Sequence, residues 1–213
     1  MIAQLPRLPL AEVVVAPMRR RHLRPVLGIE HLVYPRPWSP GLFAAELERR
    51  DTRRYLVALA PRDGDGFWYR VGPGRQVVGY AGLILQAGEA HVTTVAAHPH
   101  HHRRKIASHL LHALLTEARR AGMHAATLEV RTANRGAQRL YAGFGFAPVG
   151  VRPGYYAETG EDAVIMWAHD LQGSDMTERL RVQAARLSEP GGASGAPDLH
   201  VPWVKGRVGL GEP

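Results

Sequence analysis

The stretch from His91 to Gly122 restricts the fold of this chain more than any other. "AHVTTVAA" alternates and carries β-branched residues, so it predicts a strand. It runs through the loop "HPHHHRRK" into the strongest helical pattern present. Ile106, Ala107, Leu110, Leu111, Leu114, Leu115 and Ala118 recur on one helix face, and Gly122 stands where a C-cap belongs. Arg103, Arg104 and Lys105 sit at the start of that helix. There the macrodipole is positive and backbone N–H groups lack partners, so each cation is disfavoured by roughly 0.3–1 kcal/mol. Cations are at home in that place when an anion joins them, held by the amides and the guanidinium groups. On these residues alone, a solvated charged turn remains the alternative.

The same stretch is rich in histidine, which raises two other chemistries. His98, His100, His101 and His102 are near neighbours that point in different directions, whereas a structural metal site needs a defined tetrahedral set. His109 and His112 share a helix face with no carboxylate or cysteine close in sequence. Exposed loop histidines, and no metal, are the expectation. For nucleic acid the basic run lacks interleaved aromatics and any zinc-finger or RNP signature, so no nucleic-acid partner is required.

The flanking segments extend the pattern. A basic, Pro-punctuated leader occupies residues 1–12, and "EVVVAP" then predicts a strand. Arg20 to Val33 predicts a helix with Pro25 in its first turn, where a missing N–H costs little. "YPRPWSP" is a rigid loop, and Ser39 caps a helix through "GLFAAELERR" with Pro40 at its first position. "RYLVALA" is a strand, followed by the loop "PRDGDGFWYRVGPGR" and a hairpin of "QVVGYAGLIL" with "AHVTTVAA". After the long helix come the strand "HAATLEVR", a helix opened by Asn134 and ending at Gly143, and the strand pair "APVGVRPGYY" and "DAVIMWAHDL". The order β-α-α-β-β-β-α-β-α-β-β implies an α/β fold with a mixed sheet and helices on both faces. "SDMTERLRVQAARL" predicts a short helix of one or two turns within an otherwise flexible, linker-like tail, residues 172–213.

Composition narrows the functional classes. A chain of 213 residues can bury a real core, and no apolar run approaches the roughly 20 residues of a membrane span. The N-terminal charge follows the apolar part, unlike a signal peptide, so a cytoplasmic location and no membrane partner are expected. Zero cysteines exclude a disulfide framework, Cys-ligated zinc and thiol catalysis. The net charge of +8 favours anionic partners: nucleic acid, ribosomes, acidic membranes or a phosphorylated cofactor. Residues 172–213 hold five acidic and five basic side chains, so that charge lies in the body before them.

"HVTTVAAHPHHHRRKIASHLLHALLTEARRAGMHAATLEVRTANRGAQRLYAGFGFAPVGVRPGYY" followed by "EDAVIMWAHDL" resembles the GNAT family of acetyl-CoA-dependent N-acetyltransferases. Within it, "LEVR-x-x-N" with "LY" following, "GFGF…G-x-R-x-x-YY", "EDAVIM" and the earlier "YPRPWSPGLFAAEL" resemble the bacterial ribosomal-protein-alanine N-acetyltransferases. The match runs from about Val13 to Leu171 and implies the GNAT fold, a mixed central sheet of about seven strands, over residues 13–171. It also implies acetyl-CoA as co-substrate. In the family the pyrophosphate rests on a loop of pattern Arg/Gln-x-x-Gly-x-Gly/Ala; here the span is His102-Arg103-Arg104-Lys105-Ile106-Ala107. Lys105 stands in place of the first Gly, so its backbone is expected in the ordinary helical region, with its ammonium compensating at the anion.

By the same resemblance, Val95, Ala96 and Ala97 pair through their backbone with the pantetheine amides, Arg103, Arg104, Lys105, Ile106, Ala107 and Ser108 hold the pyrophosphate, and Asn134 contacts the cofactor near its thiol end. Glu129 is implied as general base and Tyr141 as general acid, while Trp38, Tyr155 and Tyr156 belong to the acceptor side. Each has a plainer alternative. Glu129 can be the outward residue of an alternating strand, Asn134 an N-cap (a role compatible with the other) and Tyr141 part of the core. Tyr155 and Tyr156 can pack the last strand pair, and Trp38 can anchor its loop.

The residue types suit amine acetylation. An α-amine has a pKa of roughly 8 and must lose a proton before it attacks a thioester. A carboxylate takes that proton, a tyrosine hydroxyl serves the departing thiolate, and backbone N–H groups hold the carbonyl oxygen as charge develops. The resemblance implies a protein N-terminus as acceptor, specifically the N-terminal alanine of small-subunit ribosomal protein eighteen. Two alternatives stay open: a lysine or small-amine acetyltransferase, and a non-catalytic module associated with the ribosome or RNA.

Overall fold

In the computed structural model, residues 13–62, 69–71 and 74–189 are described; the leader, most of the loop before the first hairpin and the end of the tail lie outside them. Alternation and capping act as the sequence predicts. β1 (Val14–Pro17) is followed by a 3-10 turn and α1 (Leu23–Val33), in which Pro25 falls in the first turn. The Ser39 hydroxyl accepts from the Leu42 N–H at 3.2 Å and opens α2 (Pro40–Glu48). Then come β2 (Arg53–Pro61), β3 (Arg75–Gln86), β4 (Glu89–Ala97), α3 (Ile106–Arg120), β5 (Ala125–Arg131), α4 (Arg135–Gly143), β6 (Ala147–Tyr156), β7 (Glu161–Ala168) and α5 (Ser174–Ser188).

The strands form one seven-stranded sheet in the order β1-β2-β3-β4-β5-β7-β6. β4 and β5 are parallel, joined by the crossover through α3, and the other neighbours are antiparallel. Alternate strand residues feed two cores. Leu56, Ala58, Leu83 and Val95 pack with Leu110, Leu111, Leu114 and Leu115 of α3 on one face. Tyr55, Val57, Tyr80 and Ala96 pack with Val26, Ile29 and Val33 of α1 and Phe43 of α2 on the other.

Two local features shape the middle of the sheet. Thr94 pairs with Gly82 and Val92 with Leu83, so Thr93 is an extra residue in β4, a bulge that bends the strand. Glycine is required opposite it, since a Cβ at Gly82 would lie 2.5 Å from Tyr55 Cε1 and 2.8 Å from Thr93 Oγ1. The β4–β5 pairing stops at His91–Thr127, immediately before the bulge, while β5 continues along β7 to Arg131. The two central strands therefore part, and the cleft between them is lined by Val92 to Ala97 on one side and Leu128 to Arg131 on the other.

One segment departs from its sequence expectation. In place of one or two helical turns, α5 is a helix of 15 residues with Met176, Leu180 and Leu187 buried. Its apolar stripe is sparse, and a helix this short is marginal in isolation. Docking along α3 stabilises it, with His112 Nε2 donating to the Leu180 carbonyl at 3.1 Å and Arg119 Nη2 to Thr177 Oγ1 at 2.6 Å. No described helix is long and apolar enough to cross a membrane.

Candidate active site

The cleft between β4 and β5 collects polar side chains from three strands. Glu129 on β5 lies just past the last β4–β5 pair with its side chain 9% exposed. Its Oε1 is 3.3 Å from an Arg152 guanidinium nitrogen of β6, and its Oε2 is 3.4 Å from His91 Nε2 of β4. That second approach lacks hydrogen-bond alignment, so the buried Oε2 has no hydrogen-bond partner among the described residues. A buried carboxylate oxygen left in this way costs stability. The other ring nitrogen of His91 is 2.8 Å from Thr127 Oγ1. Burial lowers the His91 pKa, Glu129 opposes the shift and Arg152 adds to it.

Tyrosines close one side of the cleft. Tyr141 on α4 is 3% exposed, and burial, followed by the neighbouring Tyr34 and Tyr156 hydroxyls, pushes its pKa well above the ordinary phenol value. Its ring packs 5.8 Å from that of Phe146. Tyr34, at the end of α1, reaches β4 with its hydroxyl 2.8 Å from Thr94 Oγ1. Tyr156 is buried beneath the Arg131 guanidinium, 4.2 Å from the ring centre. Arg131 is itself fixed to Glu158 at 2.7 Å and Glu161 at 2.6 Å. Tyr155 lies 5.1 Å beneath Arg152, so the cation beside Glu129 also touches the Tyr155 wall.

Val95 and Ala96 are buried and Ala97 half-buried on the stretch of β4 whose β5 edge has no strand beside it. The loop that follows differs from expectation in two ways. His98 and His101 are buried rather than exposed, because their rings pack edge-to-face 5.5 Å apart and His98 meets Tyr69 at 4.5 Å. Among the described residues no group of His, Asp and Glu gathers to hold a metal ion.

The second correction concerns Lys105. Its backbone is not helical: φ is 52° and ψ 16°, the left-handed conformation that a glycine takes without penalty. Arg103 has φ 63°, with Arg104 between them outside that region. Each costs roughly 1–2 kcal/mol, and alternation of this kind turns successive N–H groups inward, as in an anion-binding nest. The Lys105 ammonium does not face the loop; it donates to the Arg186 carbonyl of α5 at 2.6 Å. Arg104 Nη1 lies 3.2 Å from His101 Nδ1, Ile106 is buried, and Ala107 and Ser108 are half-buried in the first turn of α3.

Asn134 caps α4, its Oδ1 accepting from the Ala137 N–H at 3.0 Å. Trp38 is half-buried against Phe43, 5.1 Å between ring centres, and its backbone N–H donates to Glu30 Oε1 at 2.9 Å. Glu30 is buried, and that burial raises its pKa to about 8 against the opposing Trp38 N–H bond. It fixes the "YPRPWSP" loop while uncharged near neutral pH.

His91, Arg152, Tyr34 and Glu30 were not singled out by sequence reasoning. Glu30 had a signal: it falls on the apolar stripe of α1 with Val26 and Val33, where a carboxylate is out of place. Arg152 lies inside the quoted "G-x-R-x-x-YY" pattern. His91 had none, because only the parallel register with Thr127 brings it to Glu129.

Comparison with known proteins accords with this arrangement. Residues 25–146 match the model of the Acetyltransferase (GNAT) family. A Bacillus subtilis (strain 168) protein with the provisional name ribosomal protein bS18-alanine N-acetyltransferase is 31% identical over 150 residues, 70% of this chain and 91% of that protein. The N-alpha-acetyltransferase RimI of Mycobacterium tuberculosis is 36% identical over 134 residues, 61% of this chain and 74% of its own length. In fold, the Escherichia coli ribosomal-protein-S18-alanine N-acetyltransferase superposes with a TM-score of 0.61 at 24% identity, covering 74% of this chain and 94% of the other.

Proposed function

The chain belongs to the acetyltransferase (GNAT) family, and from that premise we propose that it moves the acetyl group of acetyl-CoA onto a protein N-terminal α-amine, with the N-terminal alanine of ribosomal protein bS18 as acceptor. The family assignment makes it an N-acetyltransferase with acetyl-CoA as co-substrate. The names of the Bacillus subtilis and Escherichia coli relatives support the bS18 alanine, and that of the Mycobacterium tuberculosis relative supports an α-amine.

The fit of acetyl-CoA rests on two features of this chain. The unaccompanied edge of β4 from Val95 to Ala97 offers backbone groups to the pantetheine amides. The left-handed residues Arg103 and Lys105 at the start of α3 give the loop the backbone alternation of an anion-binding nest, which suits a pyrophosphate. Residues 103–108 would hold that group, with Asn134 nearer the thiol end. The bound co-substrate supplies an acetyl thioester, an electrophile that needs no covalent enzyme intermediate.

Glu129 accepts the ammonium proton of the incoming amine at Oε2, and Arg152 holds the other carboxylate oxygen so that Oε2 faces the cleft. Tyr141, whose pKa burial raises well above the ordinary phenol value, stays protonated at neutral pH and serves as the proton donor to the departing sulfur. Tyr155 and Tyr156 flank the acceptor path, and Trp38 anchors the loop on its other wall. The observation that carries this reading is Glu129 Oε2, buried beside the cleft without a hydrogen-bond partner among the described residues.

The test is thiol release from acetyl-CoA over a peptide panel. A peptide with the N-terminal sequence of bS18 turns over, and the same peptide with a blocked N-terminus does not. Turnover that persists with the blocked peptide and depends on an internal lysine overturns the acceptor. Absence of thiol release with every amine overturns the enzyme.

A further inference from the structure

We propose that α5 is a strap that holds the acetyl-CoA loop and the Tyr141 helix in place, with Lys105 as the positioning residue that joins loop to strap. The inference rests on the assignment of residues 103–108 to the pyrophosphate. α5 lies beyond residues 25–146, the span matched by the family model.

Lys105 occupies a left-handed conformation that costs any side chain relative to glycine, so its retention there needs a compensating contact. The compensation is its ammonium bond of 2.6 Å to the Arg186 carbonyl. Arg186 lies in the last turn of α5, where carbonyls have no intrahelical partner and the helix dipole is negative. A cation at that end satisfies one of those acceptors. The lysine that departs from the family's loop is thus the residue that reaches the additional helix.

The rest of α5 is built to transmit this. It runs antiparallel to α3: Thr177 meets Arg119 at the far end, Leu180 meets His112 in the middle and Arg186 meets Lys105 at the loop. Gln172, just before it, donates to the Arg119 and Met123 carbonyls at 3.1 and 2.8 Å. On its other side Gln183 Nε2 donates to the Gly143 carbonyl at 2.8 Å, at the end of the helix that carries Tyr141. One helix therefore bridges the loop for the co-substrate and the helix of the acid. Because binding linkage is reciprocal, docking of α5 tightens coenzyme A binding, and coenzyme A tightens the docking of α5.

Coenzyme A affinity of the full chain, measured by calorimetry with Lys105→Ala and Lys105→Gly, tests the coupling. Alanine keeps the left-handed penalty and loses the ammonium, so Kd rises about fivefold and KM for acetyl-CoA rises more than kcat falls. Glycine loses the ammonium but also the left-handed penalty, so Kd rises less than in Lys105→Ala. Hydrogen exchange in α5 slows when coenzyme A is added to wild type, and slows much less in Lys105→Ala. Equal weakening in both variants overturns the proposal, because it means that the ammonium acts on the anion directly. Unchanged affinity in both, or α5 exchange indifferent to coenzyme A, overturns it as well. Failure of the underlying loop assignment reads differently: the Arg103→Ala, Arg104→Ala double variant then binds coenzyme A as wild type does.

Discussion

Nε2 of His91 lies 3.4 Å from Oε2 of Glu129 at the point where β4 and β5 part, close enough for electrostatic coupling but without hydrogen-bond alignment. The carboxylate is thus ion-paired with Arg152 through Oε1 and lies against the His91 ring through Oε2.

Replacement of Glu129 by Gln preserves shape and removes the proton acceptor. General-base removal costs about 10²–10⁴ in rate, so kcat for the alanine-terminated peptide falls by that order while KM for acetyl-CoA moves little. Thiol release at saturating substrates measures it, and a loss below about tenfold would remove Glu129 from the base role.

His91 gives the enzyme an acid limb. Burial leads the causes that lower its pKa from 6.5, so the imidazole is neutral at neutral pH and gains charge only as pH falls below that value. Once charged it competes with the amine for Glu129, and kcat declines. In His91→Gln, which cannot titrate, that decline is absent from the pH profile of kcat. A profile identical to wild type assigns the limb to another group.

Tyr141→Phe separates packing from proton donation. The ring remains buried beside Phe146, so chemical denaturation shifts by less than about 1 kcal/mol. Loss of the hydroxyl lowers kcat by about 10² or more. A variant that keeps full kcat makes Tyr141 a core residue only.

Glu30 should govern part of the pH dependence of stability. Its folded pKa is about 8 against an ordinary 4.5, so the fold keeps a proton that the unfolded chain releases. This contribution is complete below pH 4.5 and is lost as pH rises toward 8. In Glu30→Gln, which retains an acceptor for the Trp38 N–H, the fall in unfolding free energy between those limits is smaller by roughly 3–5 kcal/mol. Urea unfolding at both ends of the window measures the difference. Equal slopes in the two proteins would show that Glu30 is ionised in the fold.

Much of the molecule is legible because its signals are local. Ser39 and Asn134 cap helices through hydrogen bonds to the residue three positions on, and the Leu110–Leu115 stripe faces its core by helical periodicity alone. Glu129, Tyr141 and Asn134 stood out because the patterns around them resemble a family. His91 and Lys105 did not show their roles, since neither meets its partner by local spacing. Lys105 and Arg186 are 81 residues apart, and an isolated lysine carries no sign that it will take a glycine's conformation.

The sequence by itself determined the order of the elements, their caps, and the two apolar faces that make a mixed sheet with helices on both sides. The tertiary structure decided where β4 leaves β5, that His91 and Arg152 meet Glu129, and that α5 docks on α3 to meet Lys105. The physical reason is that periodicity and capping act within a few residues along the chain, whereas burial, strand register and the contacts of a bulge depend on which distant segments pack together.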